Sequence, residues 1–135
     1  MAPPEVRFEG VHCTMIVRRP SAGVVVLVIE GSDAGELGDA PFRELAKDLS
    51  GPAPVELFVD ARGTKGATVD VSNEWAQWLR AHRAHLKGLH MLTGTRYVQL
   101  TADLVRRFAE LEMMRVYTDP AAFDEALAAA VAAAR

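Results

Sequence analysis

Six consecutive apolar residues, Val24-Val25-Val26-Leu27-Val28-Ile29, constrain the fold of this chain more than any other feature. The run is far short of the roughly 20 residues that span a bilayer. It is dominated by β-branched side chains and follows a turn-like stretch, Arg18-Arg19-Pro20-Ser21-Ala22-Gly23. A run of this length and composition reads as a strand buried on both faces. The sheet that holds it must therefore be covered on both sides.

The neighbouring pattern supplies the covers. Val11, Cys13, Met15 and Val17 alternate with His12, Thr14 and Ile16, which predicts a strand that pairs with Val24–Ile29 as a hairpin. Gly31 to Asp39 reads as a loop. Pro41 suits the first turn of a helix whose buried side is Phe42, Leu45, Ala46 and Leu49, ended by Gly51-Pro52. Val55 to Val59 is a third strand and Asp60 to Asp70 a loop or a loop with a bulge. Asn73 to Lys87 predicts a helix with Trp75, Leu79, His82 and Leu86 in one stripe and Gly88 as its C-cap. Leu89 to Leu92 is a fourth strand. A helix follows from Thr101, or from as early as Arg96, with Leu104, Val105, Phe108 and Leu111 as its buried side. Arg115 to Tyr117 is a fifth strand. Asp119 and Pro120 then cap an Ala-rich helix that buries Phe123, Leu127 and Val131.

The order is ββαβαβαβα. It implies a single α/β domain over residues 11–135, behind an N-terminal tail at residues 1–10. The sheet is mostly parallel with right-handed crossovers, and its first strand is an antiparallel edge.

Composition narrows the function. The 135 residues carry a formal net charge of -3, which argues against the basic footprint of a nucleic-acid binder. The single cysteine, Cys13, forms no internal disulfide and fits a reducing compartment. The N-terminus lacks the basic-then-apolar pattern of a signal peptide. A cytoplasmic protein without membrane insertion is expected.

The element order, together with Val116-Tyr117-Thr118-Asp119-Pro120 running into Phe123-Asp124-Glu125-Ala126-Leu127, resembles the STAS family, named for sulfate transporters and anti-sigma factor antagonists. The resemblance covers about residues 11–131 and points to the sporulation-type anti-sigma factor antagonist branch. It implies a bacterial regulatory module whose partner is a kinase-like anti-sigma factor. The family motif, Asp-Ser-Ser-Gly or close to it, falls here on Asp70-Val71-Ser72-Asn73. Asp70 and Ser72 match. Val71 stands where the phosphorylated hydroxyl usually is, and Asn73 replaces the glycine. These departures imply a divergent member that kept the scaffold and lost or altered the switch.

Each candidate residue has a structural reading beside the functional one. Ser72 at a helix start is an ordinary N-cap. As a phosphoacceptor, its phosphate would lie at the positive end of the helix dipole and repel a partner. Thr64 and Thr68 are weaker candidates in the same stretch. Trp78 packs a core or, if partly exposed, anchors a partner. Asp60, Ser72, Asn73, Thr95, Arg96 and Thr118 gather beyond the carboxyl ends of the strands, where open parallel sheets bind ligands and where the resemblance places the partner, and Asp70 joins Asp60, Asn73, Thr95 and Arg96 as a binding candidate. Arg62-Gly63-Thr64-Lys65-Gly66 lacks the spacing of a phosphate loop. His82 and His85, with His90, supply too few placed ligands for zinc, so no metal and no cofactor is expected.

Three functions follow in order. The first is a non-enzymatic regulatory module that binds a protein partner, with homodimerisation through a strand edge or helix face compatible with it. The alternative is a small-ligand or lipid-binding sensor on the same scaffold, which needs an apolar cavity of roughly 300 Å³ or more near the Trp75 and Trp78 helix. The third, an enzyme using Asp60 and Asp70, has no catalytic nucleophile and base set to support it.

Overall fold

The apolar run at 24–29 lies at the centre of a six-stranded sheet in the computed structural model, which describes residues 5–134. Its strand, β3 (Val24–Asp33), pairs antiparallel with β2 (Cys13–Ser21) and parallel with β4 (Val55–Ala67). β1 (Val6–Glu9) lies antiparallel outside β2, and β5 (Leu86–Thr93) and β6 (Met114–Tyr117) continue the parallel half. The spatial order β1-β2-β3-β4-β5-β6 is the chain order. The helices are α1 (Ala40–Leu49), α2 (Val69–His82), α3 (Arg96–Phe108) and α4 (Pro120–Ala133), with a short 3-10 turn at Arg83–His85.

Each parallel crossover steps one strand in the same direction. Right-handed crossovers then put their helices on one face of the sheet. That face holds α1, α2 and α3 around Leu45, Leu49, Ala76, Leu79 and Ala102. The other face is covered by α4 through Phe123, Leu127 and Val131. β3 serves both: Val25, Leu27 and Ile29 face the three-helix layer, while Val24, Val26 and Val28 face α4. The strand is thus buried on both faces, as its composition predicts.

Several elements depart from the sequence expectations. Residues 6–9, placed in an N-terminal tail, form β1, with Val6 opposite Val17 and Phe8 opposite Met15. Val6 and Phe8 pack on the core while Arg7 and Glu9 point outward, an alternation only four residues long. The stretch from Asp60, read as a loop, continues β4 to Ala67 beside the far end of β3, and Thr64 donates its hydroxyl to the Ile29 carbonyl at 2.8 Å. α2 begins at Val69 rather than Asn73 and ends before Lys87. Gly88 lies inside β5 opposite Glu56 rather than capping a helix. Leu104 and Phe108 face solvent rather than the core.

Two polar features tie the layers. Arg19 on β2 forks onto Asp48 of α1 at 2.8 and 3.0 Å and reaches Glu44 at 2.8 Å. On the α4 face, His90 stacks on Phe58, with ring centroids 4.2 Å apart. Its Nε2 lies 3.0 Å from Glu56 and its Nδ1 2.8 Å from the Tyr117 hydroxyl. Through these two contacts the ring links β4, β5 and β6.

Candidate functional site

The first turn of α2 is set by Thr68, not Ser72. Thr68 has the extended backbone of an N-cap, and its hydroxyl accepts from the Val71 N–H at 3.3 Å. Ser72 is one turn further on and half-buried, with its hydroxyl donating to the Thr68 carbonyl at 3.0 Å. Asp70 and Asn73 are exposed beside it. α3 starts in the same way: Thr95 accepts from the Val98 N–H at 3.1 Å, and Arg96 is exposed in the first turn. Gly94, just before it, is required by close approach, since a Cβ there would strike the Arg62 carbonyl.

The proposed cluster at the strand ends is divided by the sheet. Asp70, Ser72, Asn73, Thr95 and Arg96 belong to the starts of α2 and α3. Asp60 points to the α4 side, where it accepts from Arg62 at 3.0 Å, and Arg62 also donates to Asp124 of α4 at 3.0 Å. These contacts, Asp60 foremost, hold the Arg62 guanidinium above its ordinary pKa. Arg62 is thus engaged within the protein. Trp78 is half-buried between Phe42 and His82, its ring stacked at 5.4 and 4.2 Å. His82 donates from Nδ1 to the Trp78 carbonyl at 2.7 Å, the backbone partner expected of a core histidine. His90 lies on the opposite face of the sheet, and among the described residues no three metal-capable side chains gather. Burial pushes the Cys13 thiol up to about 11, with Asp33 and Glu36 adding to the effect, so the thiol stays protonated.

Two features of the α2–α3 side were not visible in the sequence reading. The first is an apolar stripe along the outer face of α3: Tyr97, Leu100, Leu104 and Phe108 are 58%, 51%, 52% and 68% exposed. Val69, at the start of α2, is 74% exposed. The stripe repeats at helical spacing, but the opposite face of α3, with Val98, Ala102, Val105 and Ala109, fills the space against the sheet. The smaller side chains are the ones that fit there.

The second is a partly enclosed cavity of about 90 Å³ between α2, α3 and the sheet. Its walls include Val59, Leu79, Leu89, Val98 and Met114. Trp75 lines it and Trp78 does not. It is smaller than the 300 Å³ expected for a general ligand pocket. Left empty, a void of this size costs about 2 kcal/mol in lost contacts.

The antiparallel-to-parallel sheet in chain order, with three helices on one face and the last on the other, is the SpoIIAA-like fold, a STAS-like scaffold. A crystal structure of an uncharacterised DUF3478-family protein with that fold, from Shewanella loihica PV-4, is similar to this chain. The match covers 89% of this chain and 98% of that one, with a TM-score of 0.64 and 14% sequence identity. At that identity the likeness is one of fold. No protein-family model matches the chain, and the search of curated proteins found no match. Among the described residues no helix is long and apolar enough to cross a membrane.

Proposed function

We propose that this chain is a non-enzymatic regulatory module that works in the cytoplasm by docking a protein partner, a kinase-like anti-sigma factor, on its α2–α3 side. The observation that carries this reading is the exposed stripe Tyr97, Leu100, Leu104 and Phe108. Four large apolar side chains in a row on one helix are a surface that a soluble domain normally covers. The stripe adjoins the first turn of α2, where the STAS resemblance places the partner.

A hydroxyl switch on this surface belongs to Thr68. Its side chain is exposed at the N-terminus of a 14-residue helix, where a phosphate is stabilised by free backbone N–H groups and the helix dipole. Phosphorylation there adds negative charge to the docking face without unfolding it. Ser72 is less suited: it is half-buried, its hydroxyl proton is already donated to the Thr68 carbonyl and its side chain lines the apolar cavity. The alternative, a ligand sensor, finds an apolar cavity beside α2, but at about 90 Å³ it falls short of the roughly 300 Å³ that reading needs.

The test is capture from native lysate with the wild-type chain and with Leu104→Ser, followed by direct binding of the captured protein. An ATP-binding, kinase-like partner retained by wild type and weakened at least tenfold by Leu104→Ser supports the reading. Equal retention by both chains, or no partner of that class, contradicts it.

A further inference from the structure

We propose that the cavity between α2 and α3 is a binding site for a small apolar group, a compact hydrocarbon or the end of one apolar chain. This goes beyond the docking reading and does not depend on it. The cavity exists because small residues from separate elements converge: Ala61, Gly66 and Ala67 from β4 and Ala102 from α3. Larger side chains at those positions would close it.

Its chemistry selects the occupant. Every hydroxyl in the wall is already spent on the backbone: Thr64 on Ile29 at 2.8 Å, Ser72 on Thr68 at 3.0 Å and Thr101 on Tyr97 at 3.1 Å. Asp33, at one end, accepts from the Gly35 N–H at 3.0 Å. The remaining wall is carbon and thioether apart from the indole of Trp75. A bound water needs about two to four polar partners, so water gains little here. Apolar voids of this kind stay dry and take up xenon or benzene. At about 90 Å³ the cavity is smaller than the roughly 150 Å³ apolar void that takes up benzene whole, but its open side lets an occupant project outward, which excludes a whole lipid and admits a small molecule or the end of one chain.

Access and fit are also built in. The half-exposed wall residues Gly66, Ala67, Ser72 and Thr101 mark the open side, between the first turns of α2 and α3. The exposed Tyr97 ring lies against Gly66 there, so close that a Cβ on Gly66 would stand 3.2 Å from the ring. Met91, half-buried, and Met114, buried, also line the cavity; both are unbranched and adapt to an occupant's shape.

The experiment is methyl-resolved NMR of the full chain during titration with benzene and, separately, with 1-hexanol. Saturable shifts confined to Ala61, Leu79, Val98, Ala102, Val105 and the two methionines support the site. Benzene alone marks a free compact molecule as the natural class, and tighter hexanol binding marks a chain end. Filling the cavity with Ala102→Leu should weaken the bound probe at least tenfold while cooperative unfolding persists. Should that variant not fold, the gentler Ala67→Val at the open side gives the same readout. Absence of saturable shifts with both probes, shifts centred on Leu100 and Leu104, or undiminished affinity in a folded filled variant overturns the proposal.

Discussion

The two faces of the sheet are built by different rules. On the α4 face, Phe58 and Phe123 are fully buried and meet edge to face at 5.8 Å, and the Glu56–His90–Tyr117 chain closes the polar gap at their edge. On the other face, three helices share the sheet. Where α2 meets α3, small side chains leave a cavity, while the large apolar residues of α3 turn outward. α4 seals its face with large side chains pointing in, whereas α3 keeps small ones inside and displays the large ones, and α2 fills its side with Trp75, Trp78 and Leu79. The three-helix face holds the larger share of the core, the α4 face is the smaller one sealed by aromatic rings, and the proposed docking surface lies on the three-helix side.

The sharpest way to break this contrast is Phe58→Ala. The account expects a loss of about 3–5 kcal/mol by denaturant titration, the range for a buried aromatic. A loss below about 1 kcal/mol would show that the α4 face is not the tightly packed one.

A smaller effect comes from the tether between β2 and α1. Hydrogen bonds from Lys47 first, and then from Arg19, hold the Glu44 carboxyl below its ordinary value of 4.5. A carboxylate with a lowered folded-state pKa contributes stability that is present above its unfolded value and lost as pH falls through the folded one. The wild-type chain should therefore lose stability on acidification below pH 4.5, and Glu44→Gln should flatten that slope. At neutral pH the same variant should cost about 1–2 kcal/mol, the scale of a charged hydrogen bond with partial solvent access. Thermal unfolding across pH 3 to 7 (roughly the range over which carboxylates titrate) checks both.

The α2–α3 side should respond in the opposite direction. Ala67→Val adds carbon beside the cavity and should stabilise by about 0.5–1 kcal/mol, as cavity-filling changes do. A clear loss would mean that the space is not available. The smallest effect belongs to Leu104→Ser, expected within about 0.5 kcal/mol of wild type because the side chain already faces water.

The legible part of the fold was the part written in long periods. β3 announced burial on both faces through an unbroken β-branched run, and Asp119 with Pro120 marked the start of α4, where Asp119 accepts from the Ala121 N–H at 3.1 Å. β1 was missed because four alternating residues carry too little period to separate from a tail. The continuation of β4 was missed because Arg62-Gly63-Thr64-Lys65-Gly66 has loop composition, and only pairing along β3 makes it a strand. α3 carries two apolar stripes. Periodicity finds both but cannot say which one the sheet has room for, and the larger side chains were assigned inward. At the site, reading the helix start four residues late moved the N-cap from Thr68 to Ser72. The cavity depends on small residues brought together from separate elements, a coincidence that no local pattern records.

The proposed docking on the α2–α3 side is tested most directly by amide hydrogen exchange on a complex with any kinase-like partner retained in the capture experiment. The account predicts added protection at the first turn of α2 and along α3, with α4 and the outer edge of β1 unchanged. Protection centred on α4 or on β1, with the starts of α2 and α3 unaffected, would contradict it.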